Sequence, residues 1–208
     1  MEEVTQSTEQ RILEAAKVVF QSKGFDGARM QEIADEAGVN KALLHYYYRN
    51  KETIFKAVFE DAFSQLLAKL NEIFFSNRPL HDKIENFVRY YVSFITRNSY
   101  LPLFILNTLH ERPGELAALL SRAKISPESL LELIRTQVKD ELGIDIDPLH
   151  FYINILAMSI FPVIAKPLLQ NIFGFGEERM EKFYDDRGTT VPEFILNALK
   201  GYEINSGK

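Results

Sequence analysis

The chain has 208 residues, none of them cysteine or tryptophan, and 46% are apolar. That length and apolar content suit one large or two small globular domains and exclude a disordered chain, while the absent thiols exclude disulfides, thiol nucleophiles and cysteine-ligated zinc and fit a cytoplasmic setting. The net charge of −5 has the wrong sign for a nucleic-acid binder taken as a whole, so any such role must rest on a local positive tip.

The N-terminal residues Met1-Glu2-Glu3-Val4-Thr5-Gln6 carry neither the basic nor the apolar region of a signal peptide. No stretch alternates with period two and nearly every segment has helical period, so the chain reads as all-α with about nine helices. The first starts at Ser7, where Ser7 and Gln10 have capping-box spacing. It carries Ile12, Ala16, Val19 and Phe20 on one face. Gly24 should end it as a left-handed cap and set Phe25 against Phe20. The second helix is short, with Met30, Ile33, Ala34 and Ala37 as its stripe, and Gly38 stops it. Asn40 caps a brief third helix that ends near Arg49. Asn50 caps a long fourth, whose apolar residues are Phe55, Val58, Phe59, Ala62, Leu66, Leu70 and Ile73.

Ile84, Phe87, Val88, Tyr91 and Ile95 mark a fifth helix. A sixth opens at Leu101-Pro102 and should stop at Pro113-Gly114. Ser126-Pro127-Glu128 opens a seventh that runs to about Leu142, before Gly143. Asp147-Pro148 opens the eighth, and Pro192-Glu193 the ninth. The polar, glycine-flanked stretch from Gly174 to Gly188 reads as a surface loop with room for one charged helical turn. The most apolar run, Phe151 to Ala165, is shorter than the roughly 20 residues of a spanning helix. It also contains Asn154, Ser159 and Pro162, so it reads as a buried or interface helix and no membrane partner is expected.

The functional signal lies between Met30 and Lys51. Two short helices joined by Ala37-Gly38-Val39-Asn40 have helix-turn-helix spacing. Leu44 and Tyr48 share an inward face, which turns Lys41, Ala42, His45 and Tyr46 outward. Such a face suits a major groove: lysine reaches guanine acceptors, and alanine admits the backbone and can touch a thymine methyl. Tyrosine and histidine donate to phosphates. Gly38 to Lys51 contains Lys41, Arg49 and Lys51 and no acid. Lys51 sits at a helix start, where free N–H groups and the dipole favour an anion.

The run Gly24-Phe25-Asp26, Met30-Gln31-Glu32-Ile33-Ala34-Asp35-Glu36-Ala37-Gly38-Val39-Asn40-Lys41-Ala42-Leu43-Leu44-His45-Tyr46-Tyr47-Tyr48-Arg49-Asn50-Lys51-Glu52 resembles the DNA-binding domain of the TetR family over about residues 8 to 60. The resemblance implies a three-helix DNA-binding domain at residues 1–50, joined by a long helix to a ligand-binding and dimerisation domain at 51–208. It implies DNA-facing roles for Lys41, Ala42, Leu43, His45, Tyr46 and Tyr47, a phosphate contact at Asn40 and Lys51, and a base contact from Gln31. Ala28, Leu43 and His45 depart from the family's usual threonine, threonine or serine, and tyrosine. The implied function is a dimeric repressor that holds palindromic double-stranded operator DNA and is released by a small lipophilic effector. An alternative is a helical ligand-binding or interaction protein that has lost DNA binding.

The resemblance also places an effector cavity among the fifth to eighth helices, bounded by Tyr91, Phe94, Phe104, Asn107, Phe151, Ile155 and Met158, with Asn107 and Tyr91 as polar anchors. His110 reads as a ligand contact, a satisfied buried histidine or a helix-end residue. The eighth helix is apolar nearly all round and bent by Pro162 and Pro167; with the ninth it resembles the family's four-helix dimer interface, formed by segments 148–170 and 192–204. His45, His81, His110 and His150 lack metal-ligand spacing, so no metal or cofactor is expected. No nucleophile elbow, phosphate loop or glycine-rich nucleotide fingerprint is present, so an enzyme is not expected.

Overall fold

A computed structural model describes residues 7–111, 113–122 and 126–205, with the side chains of 107, 109, 113, 115–117, 122 and 202–205 outside the description. The described residues form eleven helices in two compact units, Met1–Gln65 and Leu66–Lys208.

In the first unit, α1 (Thr8–Gly27) starts with the expected box: Ser7 Oγ accepts from Gln10 N, and Gln10 Oε1 from Ser7 N. It buries Ile12, Ala15, Ala16, Val19 and Phe20. Gly24 does not end the helix; it kinks it, at φ 68° and ψ 177°, and a further turn follows. The positive φ is one that glycine alone adopts without strain. Phe25 still folds back on Phe20, with ring centroids 6.3 Å apart, and both pack against Phe55 at 4.8 and 4.9 Å. α2 (Met30–Ala37) packs on α1, and α3 (Lys41–Tyr47) packs on α2. α4 (Lys51–Phe74) buries every apolar residue expected of it, and Ile54 and Leu67 besides.

In the second unit, α5 (Leu80–Arg97) buries Ile84, Phe87, Val88, Tyr91 and Ile95 as expected. It packs against α8 (Pro127–Leu142), α9 (Pro148–Ile164) and α11 (Glu177–Asn205). α6 (Leu101–Glu111) packs on α7 (Pro113–Arg122). Pro113 therefore opens a helix rather than only stopping one, because its missing N–H costs nothing in a first turn. The expected eighth helix is broken at Ala165 into α9 and α10 (Lys166–Phe173), bent by 65°, with Pro167 in the first turn of α10. No single helix among the described residues is long and apolar enough to cross a bilayer.

The expected loop from Gly174 to Gly188 is largely helical. Gly174 is the left-handed cap of α10, at φ 65°, and α11 begins at Glu177 and runs on through Pro192. Its polar composition hides a one-sided stripe in which Met180, Gly188 and Val191 are buried. A side chain at Gly188 would meet the Arg89 guanidinium of α5 at 3.2 Å, so this glycine marks close helix packing and not a turn.

Phe20 is fully buried at the centre of the aromatic group of the first unit. Phe20→Ala should cost about 3–5 kcal/mol, read as a lower urea midpoint for that unit.

Candidate DNA interface and effector cavity

The third helix is too short to hold itself, and the geometry shows what holds it. Asn40 Oδ1 accepts from Leu43 N at 2.8 Å, closing the N-terminus. Gly38 takes the left-handed cap of α2, at φ 62° and ψ 38°. Leu44 is fully buried, and Tyr48, just past the helix end, is 5% exposed with its hydroxyl donating to Glu9 Oε1 at 3.3 Å. One further support was not legible in the sequence. Arg11 of α1 donates through Nη2 to the carbonyl oxygens of Ala37 and Gly38, at 2.6 and 3.4 Å. It thus places a cation on the negative end of α2 and fixes the turn between α2 and α3.

With Leu44 and Tyr48 turned inward, Lys41, Ala42, Leu43, His45, Tyr46 and Tyr47 are all exposed. Tyr46 is the most open, at 82%, and its ring meets that of Tyr47 edge-on at 5.4 Å. His45 Nδ1 lies 3.2 Å from the Arg49 carbonyl oxygen, which fixes the ring direction. Gln31 is exposed on α2, and its amide is held by Asp35 at 2.8 Å. Ala28 is buried in the core, so no phosphate contact is available from its side chain.

Lys51 differs from its expected picture as a free cation at a helix start. Its Nζ donates to the carbonyl oxygens of Phe25 and Asp26, at 2.7 and 3.3 Å, and lies 4.4 Å from the centroid of the Phe25 ring. Asn50 is the true cap of α4, its Oδ1 accepting from Thr53 N at 2.9 Å. Lys51 therefore ties the start of α4 to the end of α1 and keeps one donor to spare.

The model of the bacterial regulatory proteins of the tetR family matches residues 12–58, the segment just described. Over nearly the whole length the chain is similar to two curated regulators. It is 25% identical to the biofilm operon icaADBC negative transcriptional regulator IcaR of Staphylococcus epidermidis, covering 89% of this chain and 97% of that one. It is 28% identical to the transcriptional regulator RutR of Escherichia coli, covering 91% and 89%. Residues 12–58 thus carry a helix-turn-helix segment of the tetR family type, and over nearly its whole length the chain is similar to transcriptional regulators. The TetR fold extends through both units: the regulator FadR of Bacillus subtilis, solved in complex with stearoyl-CoA, is 17% identical with a TM-score of 0.59, covering 89% of this chain and 96% of that one.

The second unit contains a small cavity between α5, α8 and α9. Its volume is about 20 Å³, room for one water. Phe74, Ile84, Phe87, Phe151, Tyr152 and Ile155 supply its apolar wall. Of the residues expected to bound an effector, the structure brings Phe151 and Ile155 here. Tyr91 is buried and stacks on Phe87 with centroids 5.5 Å apart, its phenol pushed up by desolvation, but it does not line this space. Phe94, beside Tyr90, and Phe104 and Met158 are half-buried and lie outside it. His110, for which the sequence leaves a ligand contact, a buried histidine and a helix-end residue as alternatives, is exposed near the end of α6 and does not line this cavity. The side chain of Asn107 lies outside the described residues. Phe74, the last residue of α4, was missed because its helix reads as a connector.

Two outcomes follow from the reading head. Arg11→Ala should lower stability by about 1–2 kcal/mol, as a charged donor to two helix-end carbonyls is lost, and should weaken DNA binding by loosening the turn. Tyr48 has its phenol pushed up to about 12 by burial, with Glu9 adding to the effect. The folded chain then holds this proton at pH values where the unfolded chain has released it. Stability from this group is complete below about pH 10 and lost as pH rises through about 12. Urea titrations at pH 9 and 11 should show a smaller loss for Tyr48→Phe than for the parent.

Proposed function

We propose that this chain is a TetR-type repressor that grips a pseudo-palindromic operator as a homodimer and lets go when a small lipophilic effector enters its C-terminal unit. The observation that carries the reading is the outward face of α3, where every side chain but the anchor Leu44 is exposed and the only formal charge is Lys41. Two such helices, roughly 34–36 Å apart, would enter successive major grooves. Lys41, Ala42, Leu43 and Tyr46 face the bases; Asn40, His45, Tyr47 and the spare donor of Lys51 face phosphates; and Gln31 reaches from α2. Residues 1–50 serve as the reading head and residues 51–208 as the effector and dimerisation domain, in a cytoplasmic, non-catalytic protein.

The dimer surface is proposed on segments 148–170 and 192–204. Leu149, Ile153 and Phe161 recur at multiples of four along α9 and are 49–58% exposed, and Phe194 on α11 is 61% exposed. A stripe this apolar on a single chain marks a protein contact. The lipophilic character of the effector is supported by the aromatic wall around Phe87 and Phe151.

The effector must favour one arrangement of the dimer over the other, and the coupling equals its difference in affinity, typically about 1–3 kcal/mol. α4 runs unbroken from Lys51 at the reading head to Phe74 in the cavity wall, so it is the element we expect to move.

Gel shifts with the DNA flanking the chain's own gene, run at several salt concentrations, test the reading. The purified protein should bind with strong salt dependence. Lys41→Ala should reduce the slope of log K against log salt by about 1 if the ammonium meets a phosphate, or relax the sequence preference if it meets a guanine. Its melting temperature should be unchanged. Lys51→Ala should lower the melting temperature as well as affinity, because its carbonyl contacts are lost. Absence of salt-sensitive affinity for any duplex would remove the repressor reading.

A further inference from the structure

Lys83 breaks two rules at once. It is 6% exposed, and it sits in the first turn of α5, the positive end of the helix, where cations are disfavoured. Its Nζ donates to Gln137 Oε1 of α8 at 2.8 Å, which leaves two N–H donors without a partner among the described residues. Burial pushes its ammonium below the usual lysine range, and Glu141 offsets this only in part. Glu141 is occupied elsewhere: both carboxylate oxygens accept from Leu80 N, at 3.0 and 2.9 Å, capping α5. A buried cation compensated only in part breaks a local rule of the kind that is broken at functional positions.

The place is as telling as the charge. Lys83, Leu133 and Gln137 line both the small apolar cavity and an open cleft of about 620 Å³, which also holds Arg78, Asp140 and Glu141. The ammonium therefore stands where an apolar interior meets water. Resting on the reading of this chain as an effector-released regulator, we propose that Lys83 receives the carboxylate of a lipophilic acid, whose alkyl tail enters between α5, α8 and α9. The head group takes the two spare donors and stays wetted by the outer cleft. The tail displaces aromatic wall residues, since the cavity as it stands admits only a water. A neutral lipophile would leave Lys83 as it is, and a cationic one would be repelled by it.

Calorimetric titration of the whole protein with dodecanoate, 1-dodecanol and dodecylammonium, each below its micelle concentration, tests this. Dodecanoate should bind about tenfold tighter than either of the others. In Lys83→Met, dodecanoate should fall to the level of the alcohol, while the alcohol changes by less than about twofold. The variant should melt no lower than the parent, because a buried charge has been removed. A lysine that merely packs would give the same melting behaviour with no change in dodecanoate affinity, and that result overturns the proposal. Equal binding of the three probes to the parent protein, or binding of none, overturns it without recourse to any variant. A gel shift of the protein without any probe separates the two readings: a protein that binds no duplex yet binds dodecanoate through Lys83 defeats the repressor and leaves this site standing, and one that binds duplex DNA but shows no Lys83-dependent dodecanoate binding does the opposite.

Discussion

A helix of seven residues does not persist in water on its own, yet the reading head depends on α3 presenting a fixed face. The burial of Leu44 is the constraint from which the rest follows. With that one side chain locked into the core formed by α1 and α2, rotation of α3 about its axis is settled. Lys41, His45 and Tyr46 then point to solvent because nothing else is left for them to do. Asn40 and Gly38 settle where the helix begins, and Arg11 settles the angle at which the chain turns into it. DNA recognition in this protein is the unburied remainder of a packing problem.

The three lysines treated above show how position divides a single chemistry into three roles. Lys41 is exposed on α3, and is therefore available to a polyanion. Lys51 spends two of its donors on the carbonyls of Phe25 and Asp26 and rests its charge on the Phe25 ring. It acts first as a strut, and only its remaining donor is offered outward. Lys83 is buried, with Gln137 as its hydrogen-bond partner and Glu141 offsetting its burial only in part. Only in the last case does the fold hold a charge at a cost it recovers incompletely, which an anion from outside would relieve.

Features that depend on near neighbours in sequence were legible. The boxes and caps at Ser7, Asn40, Ser126 and Asp147 lie where local spacing places them, because each bond joins residues two or three apart. The stripes of α4 and α5 were legible for the same reason. What the sequence hid is long-range. Arg11 meets a carbonyl 26 residues away and Lys83 an amide 54 residues away, and nothing local distinguishes either from a surface cation. The start of α11 was hidden differently. Gly188 and Pro192 read as breakers, but the glycine answers to Arg89 on another helix and the proline is absorbed within the helix. The cavity was half legible: Phe151 and Ile155 belong to a recognisable apolar helix, whereas Phe74 ends a helix whose other end is occupied with a different task.

That double task bears on how release would work. The wall around Phe87 closes on a space that admits a single water, so an effector of larger size entering here would need a conformer in which the wall has opened. Its affinity for the closed form is thereby near zero, and the differential affinity that allostery requires is built in by sterics alone. Phe74 is packed into that wall, with ring centroids 5.1 Å from Phe87 and 6.0 Å from Tyr152. An effector that parts α5 from α9 must therefore move or release the end of α4. α4 is one continuous helix from its Asn50 cap to Phe74. A tighter-packed wall would raise the threshold for release and a looser one would lower it, with no change to any residue that touches DNA.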